Sequence, residues 1–319
     1  MPDKKRREKM DFVIQLLLLV VGFAMLVKGA DWFVDGAAGI AKKFGIPELV
    51  VGLTIVAMGT SAPEAAVSVN AALNDNAGIS VGNVLGSNIL NILIILGLTG
   101  LIVNVAIQKS TLFVEIPFML AITVVLIAMG KTGEKISKPL EGIILWVLFI
   151  IYLAYLFWMA KKGKEEPAKA ETRSVWKLLL LAVVGAVIVV WGSDITVDSA
   201  VTIAEMIGID DRIIGLTIVA LGTSLPELVT SVTAARKGNA DIAIGNIVGS
   251  NIFNILFVLG TSALITNIPY EPNFIIDGII AVAAGVLLWV SVVKTKKLTR
   301  PWGIAMLVSY AAYVVYLLV

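Results

Sequence analysis

Two acidic side chains, Glu64 and Glu227, stand alone in apolar stretches of the sequence. Glu64 is the only charged residue between positions 52 and 72, and Glu227 is the only one between positions 215 and 235. An ionised side chain at the centre of a membrane costs at least about 2.5–3.5 kcal/mol, so each carboxylate needs a partner or a wet cavity. Neither stretch contains a basic residue, and a bound cation is the simplest substitute. The alternative is that each glutamate is protonated and only joins helices by a hydrogen bond.

The same short motif precedes both glutamates, GTSAPE in the first case and GTSLPE in the second. Proline lacks an amide donor and glycine weakens the same turn, so both helices are predicted to break just before the carboxylate. Such breaks would supply oxygen ligands: carbonyls near Ala57 and Ala220, the hydroxyls of Thr60, Ser61, Thr223 and Ser224, and the two carboxylates. Calcium takes six to eight oxygens, and two carboxylates balance its charge. Because the chain has no histidine and no cysteine, thiolate and imidazole sites are excluded.

A second duplicated motif, GNVLGSN and GNIVGSN, opens two uncharged helical stretches. Positions four apart share a helix face, so the serine of each motif and the asparagine four residues later should point together into a cavity. These side chains are Ser87, Asn91, Ser250 and Asn254. The glycines have GxxxG spacing, which permits close helix packing without any contact to a ligand.

The composition indicates a membrane protein. Of 319 residues, 58% are apolar and 15% are charged, where soluble domains have roughly 45–50% and about 25%. The mean hydropathy is +0.95. Ten stretches are long enough to cross roughly 30 Å of hydrocarbon. They lie near 12–35, 47–73, 79–103, 111–129, 140–160, 175–199, 210–236, 242–266, 273–292 and 302–319.

These stretches fall into two groups of five, and the second group repeats the first 163 positions later. Residues 52–97 and 215–260 are identical at 29 of 46 positions. Because five is odd, the second copy must cross the membrane in the opposite sense, which predicts an inverted repeat as in secondary transporters. The predicted architecture is an all-α polytopic membrane protein with helices 2 and 7 broken. Its units are 1–160, a linker at 161–174, and 175–319.

Four aspartates also recur in both copies, and the pattern places them at helix ends. They are Asp31, Asp35, Asp194 and Asp198. Besides a purely structural role, an open alternative is that they attract cations to a vestibule.

At the two GTSxPE and two GNxxGSN segments, the sequence resembles the cation/calcium exchanger superfamily, most closely the prokaryotic sodium/calcium exchangers. The resemblance covers both halves and implies an ion site between helices 2, 3, 7 and 8. It implies calcium binding by Glu64 and Glu227 with Thr60 and Thr223 alongside. It further implies sodium sites lined by Ser61, Ser224, Ser87, Ser250, Ala57 and Ala220, and a polar contact from Asn91. Many members have an aspartate at the position of Asn254, so this pocket has one fewer negative charge.

The predicted function is a non-enzymatic antiporter that exchanges calcium for sodium by alternating access. A proton/calcium exchanger of the same fold is the alternative, and a calcium-permeable channel is a further one. No cofactor, nucleic acid or obligate protein partner is predicted; the partners are the transported ions and the lipid bilayer.

The positive-inside rule predicts the orientation in the cell membrane. With the N-terminus outside, the linker side carries 15 lysines and arginines and the opposite side carries 9. The N-terminus is therefore predicted to be extracellular and the linker cytoplasmic.

Overall fold

The computed structural model describes residues 2–74, 76–133, 135–136, 139–163, 171–208 and 220–318. In these ranges the protein is almost entirely helical. The α-helices are α1 (Pro2–Phe44), α2 (Glu48–Val51), α3 (Ala57–Thr60), α4 (Ala62–Leu73), α5 (Gly78–Leu90), α6 (Gly97–Ile102), α7 (Ile116–Gly133), α8 (Leu140–Lys162), α9 (Val175–Met206), α10 (Ala220–Gly222), α11 (Leu225–Arg236), α12 (Ala240–Phe253), α13 (Gly260–Ile265), α14 (Pro272–Val293) and α15 (Arg300–Leu318).

Wider π-helical turns interrupt several spans without ending them. They join α2 to α3, α5 to α6 and α12 to α13, and one precedes α7. Their bounds are Gly52–Val56, Asn91–Leu96, Asn254–Leu259 and Thr111–Glu115. A π-helical turn disturbs the regular ladder of main-chain hydrogen bonds and is frequent at functional sites.

The predicted break before Glu64 is present. The axis bends by 50° between Glu48–Thr60 and Ala62–Leu73. Only Ser61 separates the two segments, and Pro63 lies in the first turn of α4, where its missing amide costs no hydrogen bond. In the second copy, α10 ends at Gly222 and α11 begins at Leu225, so the chain is also interrupted before Glu227.

Seven helices in the described ranges are long and apolar enough to cross a membrane, or eight if the bent pair forms one span. The predicted span at 210–236 lies partly outside the described residues. The predicted span at 302–319 corresponds to α15. The first and sixth predicted spans are longer than expected, since α1 continues to Phe44 and α9 to Met206. The four recurring aspartates therefore lie within helices, and their prediction at helix ends is wrong.

The centre of the bundle is formed by the span that contains α5 and by the one that contains α12. In their most apolar windows, 72% and 94% of the residues are buried, against 11% for α1. α1 instead pairs with α9 along one side of the molecule. An added Cβ at Gly36 would lie 2.5 Å from the main-chain nitrogen of Ala182, and one at Gly185 would lie 2.4 Å from that of Phe33. The two helices are thus in backbone contact.

Short strands before and after α7 pair with strands before and after α14 and so join the two copies. β1 (Val105–Ala106) pairs antiparallel with β4 (Lys297–Leu298), and β2 (Lys135–Ile136) pairs antiparallel with β3 (Ile268–Pro269). Each strand pair therefore has one member in each copy.

Candidate functional site

Both glutamates are completely buried and lie in the first turn of the helix that follows a break. Each is held by a serine of the other copy. The Ser61 hydroxyl donates to Oε1 of Glu227 at 2.8 Å, and the Ser224 hydroxyl donates to Oε1 of Glu64 at 3.3 Å. The structure thus brings the two copies of the GTSxPE motif together at a single buried site.

The second oxygen of each carboxylate, Oε2, is buried without a hydrogen-bond partner. Neither carboxylate forms an ion pair within the described residues. Buried polar groups are otherwise hydrogen-bonded in most structures, and a buried unpaired charge is expensive. The pair is therefore suited to a positively charged ligand or to protons.

Further hydroxyl groups face the two carboxylates. Thr223 joins Ser224 beside Glu64, whereas Thr60 and Ser250 join Ser61 beside Glu227. Thr60 is buried, but Thr223 is partly exposed and borders a cavity. The predicted hydroxyl ligands from α3, the α10–α11 break and α12 therefore converge on the glutamates.

The main-chain oxygen of Ala57 also belongs to this cluster. It lies 3.4 Å from the Ser250 hydroxyl and 3.4 Å from the Thr60 hydroxyl. The Thr60 hydroxyl also lies 3.0 Å from Oδ1 of Asn246 in the second copy. The backbone of Ala220 begins α10, and its side chain lies outside the described residues.

A pair of asparagines holds the backbone of the two glutamates. Asn83 Nδ2 donates to the main-chain oxygen of Glu64 at 3.1 Å and to the Ser68 hydroxyl at 2.9 Å. Asn246, its repeat mate, lies 3.5 Å from the main-chain oxygen of Glu227 and donates to the Ser231 hydroxyl at 2.9 Å. These contacts fix the first turn of α4 and α11 and thereby the carboxylates.

A second group of asparagines links α5 to α12. Asn91 Nδ2 donates to Oδ1 of Asn251 at 2.9 Å, and Asn254 Nδ2 donates to Oδ1 of Asn88 at 3.2 Å. The side-chain oxygens of Asn91 and Asn254 are buried without partners. Ser87, one turn before Asn91, is also buried. Among the predicted site residues, two carboxylate oxygens and two amide oxygens thus remain unpartnered.

The GNxxGSN glycines differ between the copies. An added Cβ at Gly249 would lie 2.8 Å from the Ala57 Cβ, whereas one at Gly86 would meet nothing within 4 Å. The close-packing interpretation of these glycines therefore holds at Gly249 and fails at Gly86.

Two cavities border the site. One of about 770 Å³ includes Asn83, Glu271 and Phe274 in its lining. The other, of about 450 Å³, includes Pro63, Thr223, Asp194 and Asp198. Two cavities therefore lie beside residues that hold Glu64, and each includes polar side chains in its lining.

The recurring aspartates have different surroundings in the two copies. The Lys237 ammonium lies 3.1 Å from Oδ1 of Asp31 and 2.8 Å from Oδ1 of Asp35. The repeat mate of Lys237 is Asn74, whose amide instead donates to Asn70. Asp194 and Asp198 line the smaller cavity. The first pair is thus neutralised by a lysine, while the second faces an opening.

The chemistry of the site is that of hard oxygen donors. In the described parts of the chain, no three histidine, cysteine or acidic side chains are grouped so that they could hold a metal ion together. A cation at this site would rely on two carboxylates, hydroxyls, amide oxygens and main-chain carbonyls, which are ligands suited to calcium and sodium.

Sequence reasoning did not assign the roles of Asn83, Asn88, Asn246 and Asn251. Their signal was present, since each is identical in its repeat mate within an otherwise apolar helix. The partners of their hydrogen bonds depend on how the two copies pack against each other, which the sequence does not specify.

A family profile described as "Sodium/calcium exchanger protein" matches residues 14–158 and 177–319. The chain therefore belongs to the sodium/calcium exchanger family, as its motifs predicted. It is a multi-pass membrane protein of a family of ion exchangers.

Relatives match over nearly the full chain. The chain is 36% identical over 287 residues to the inner membrane protein YrbG of Escherichia coli, covering 85% of this chain and 88% of that protein. It is 32% identical over 348 aligned residues to the sodium/calcium exchanger MaX1 of Methanosarcina acetivorans, covering 95% and 98%. A solved structure of the sodium-calcium exchanger NCX_Mj superposes with a TM-score of 0.83 at 33% identity, covering 95% of this chain and 99% of that one.

Proposed function

We propose that this protein exchanges calcium for sodium across the cytoplasmic membrane and that Glu64 and Glu227 bind the transported ions. The observation that carries this proposal is the crossed pair of serine–glutamate hydrogen bonds. They hold two buried carboxylates at one site and leave one oxygen of each without a partner.

Calcium is the divalent ion that this oxygen set suits best. Two carboxylates neutralise its charge, and hydroxyl, amide and carbonyl oxygens supply the remaining ligands. Magnesium keeps several waters and gives them up reluctantly, which makes a dehydrated protein site less suitable for it. The proposed ion-contacting residues are Ala57, Thr60, Ser61, Glu64, Ser87, Asn91, Ala220, Thr223, Ser224, Glu227, Ser250 and Asn254.

Sodium binding to the same carboxylates explains obligatory exchange. When no cation is bound, two unpaired carboxylates in a buried site oppose any movement that removes them further from water. Bound cations would relieve this penalty. The protein can therefore switch the site from one side of the membrane to the other when ions are bound, but not when the site is empty. Calcium and the coupling ion should therefore compete.

The architecture that we propose for this exchanger has ten membrane spans in two inverted repeats. The repeats are residues 1–160 and 175–319, and the linker at 161–174 joins them. The reciprocal contacts between repeat mates and the two strand pairs with one member in each copy support it. The charge distribution supports an extracellular N-terminus and a cytoplasmic linker.

The alternative is calcium exchange against protons. It is favoured by Asn254, a neutral residue where many exchangers have an aspartate, because fewer charges are then available to bind several sodium ions. In this version the paired glutamates would be neutralised by protons after calcium leaves.

Reconstituted vesicles distinguish these functions. Calcium uptake driven by a sodium gradient at fixed pH, with no pH gradient, is the expected result for the parent protein. It should be lost in Glu64→Gln and in Glu227→Gln and retained in Glu205→Gln, an exposed control on α9. Uptake driven only by a pH gradient would establish the proton alternative. Normal uptake by Glu64→Gln would contradict the assigned site.

A further inference from the structure

A hydrogen bond between Gln108 and Asp241 joins the two copies at one end of the bundle. Gln108 Nε2 donates to Oδ2 of Asp241 at 2.6 Å, and both residues are partly buried. Gln108 follows β1, which pairs with β4, and Asp241 lies in the first turn of α12. The bond therefore ties the start of α12 to a segment of the first copy that a strand pair holds in place.

The repeat mates of these two residues cannot form the same bond. The mate of Gln108 is Glu271, and the mate of Asp241 is Gly78, which has no side chain. Both mates line the cavity of about 770 Å³. An added Cβ at Gly78 would meet nothing within 4 Å. Equivalent positions are thus bridged in one place and lie beside an open cavity in the other.

The two positions lie at opposite ends of the bundle, which we call the α5 end and the α12 end after the helix that begins there. At the start of α5, the Ser80 hydroxyl donates to the main-chain oxygen of Ser68, close to the end of α4. At the start of α12, the main-chain oxygen of Ile242 would lie 2.9 Å from an added Cβ at Gly52. Gly52 lies near the beginning of the bent span Glu48–Leu73 and Ser68 near its end, so this span separates the two starts.

The two ends differ in how open they are. Ile79, in the first turn of α5, is 55% exposed and lines the cavity, whereas its repeat mate Ile242, in the first turn of α12, is 0% exposed. The difference extends along the spans, since 72% of the most apolar window is buried for the span that contains α5 and 94% for the one that contains α12. The structure is therefore open at the α5 end and closed at the α12 end.

We propose that the hydrogen bond between Gln108 and Asp241 is a latch that holds the α12 end closed. Because the residues at the equivalent positions of the α5 end cannot form it, the chain favours the conformation that is open there. The inference rests on the proposed exchange by alternating access, in which the α12 end must open in turn. With the latch released, Gln108 and Asp241 would line an opening as their repeat mates do now. A hydrogen bond to a charged group can shift such an equilibrium about ten-fold.

Thiol labelling tests the latch without any measurement of transport. The chain has no cysteine, so one introduced cysteine is the single target. Ile242→Cys, in the full chain in phosphatidylcholine nanodiscs at neutral pH, should react slowly with a small neutral water-soluble maleimide. Gln108→Glu introduces the residue of the repeat mate and places a second carboxylate beside Asp241. It should raise the labelling rate of Ile242→Cys at least about ten-fold, since labelling through a minor open state is proportional to its population.

Lys109→Gln is the charge-matched control for this variant. It changes the net charge by the same amount at the exposed neighbouring position, and it should leave the labelling rate of Ile242→Cys unchanged. An equal rate with and without Gln108→Glu would overturn the proposal. An increase of the same size from Lys109→Gln would overturn it as well, because the effect would then come from net charge.

The reciprocal change installs the latch at the α5 end and keeps the test independent of any damage from a substitution at the buried Ile242. Gly78→Asp together with Glu271→Gln reproduces the bonded pair, and the open space at Gly78 accommodates the new side chain. Labelling of Ile79→Cys should then fall at least about three-fold. Gly78→Asp alone leaves two carboxylates at this end and should not slow the reaction. An unchanged rate in the double variant would contradict the latch.

The labelling rates do not depend on which ion the protein carries. Failure of calcium exchange in reconstituted vesicles would contradict the proposed function and leave the labelling ratios as they are. Labelling ratios of one in a protein that exchanges calcium would remove the latch alone. The two proposals therefore fail separately.

Discussion

Asn88 and Asn251, which are repeat mates, exchange hydrogen bonds across the centre of the molecule. The Nδ2 of each donates to the main-chain oxygen of the other, and both distances are 3.1 Å. Both residues are buried, so no water replaces these contacts. This exchange of bonds ties α5 directly to α12 beside the proposed ion site.

Alanine at either position should therefore destabilise the protein. Asn88→Ala and Asn251→Ala each leave buried polar groups of the partner unsatisfied, which costs about 1–3 kcal/mol. Since the bonds are reciprocal, the double variant should lose less than the sum of the single losses. Thermal unfolding in detergent measures both effects, and Asn74→Ala, an exposed asparagine, is the control. Strictly additive losses would contradict the direct coupling.

The two serines that hold the glutamates should contribute unequally to ion affinity. The Ser61 bond is shorter, 2.8 Å against 3.3 Å for Ser224. Hydrogen bonds to charged groups contribute more than neutral ones, so Ser61→Ala is expected to raise the apparent Kd for calcium about ten-fold and Ser224→Ala about three-fold. Isothermal calorimetry on the purified protein measures this. Ser291→Ala, a buried serine bonded to Leu288, should leave the affinity unchanged.

Glycine substitutions should separate packing from open space at equivalent positions. Gly249→Ala places a methyl group 2.8 Å from both the Ala57 Cβ and the Leu53 Cα, so it should destabilise by about 1–3 kcal/mol. Gly86→Ala meets no atom within 4 Å and should be neutral or slightly stabilising, because alanine restricts the unfolded chain. Thermal midpoints of the two variants provide the comparison. Equal losses would show that the glycines serve the same purpose in both copies.

Lys237 should affect ion entry more than stability. It lies at the surface, 28% exposed, beside Asp31 and Asp35, and exposed ion pairs contribute about 0–1 kcal/mol. Lys237→Asn reproduces the residue of the first copy and leaves two aspartates unneutralised. Calcium uptake from this face should then saturate at about two- to three-fold lower concentration at low ionic strength, because unpaired acidic groups attract cations. The difference should disappear at high choline chloride, where charges are screened.

The charge-matched control for this variant is Lys161→Asn at the end of α8, whose ammonium lies over the Phe157 ring. If it changes uptake as much as Lys237→Asn does, the effect comes from net charge and not from the aspartate pair.

The end of the linker should make stability depend on pH in the acid range. Both carboxylate oxygens of Glu171 accept hydrogen bonds from the Arg173 guanidinium at 2.8 Å, which lowers the Glu171 pKa from 4.5 to about 2. A lowered pKa stabilises the folded state above the unfolded value and loses this effect as pH falls from about 4.5 toward 2. The difference in thermal midpoint between the parent and Glu171→Gln should therefore shrink over this interval. A constant difference would contradict the assignment.

Much of the site could be predicted from the sequence, because its residues recur in both copies of the duplicated segment. A charged residue that recurs alone in an apolar stretch has few explanations in a membrane, and this singled out Glu64 and Glu227. The break before Glu64 was also predictable, since Gly59 and Pro63 act locally on one helix.

Contacts between the copies were not predictable in the same way. Nothing local pairs Ser61 with Glu227 instead of with Glu64, because that choice depends on how two helices cross. The differing surroundings of Gly86 and Gly249 likewise arise from neighbours remote in the chain.

The lysine at position 237 shows what joining the two copies in one chain makes possible. Two separate identical subunits would carry the same residue at both equivalent positions, so any charge added at one position would also appear at the other. In a fused chain, Asn74 and Lys237 diverge independently. The surroundings of the two aspartate pairs can then differ, as they do here, while the shared centre stays nearly symmetric.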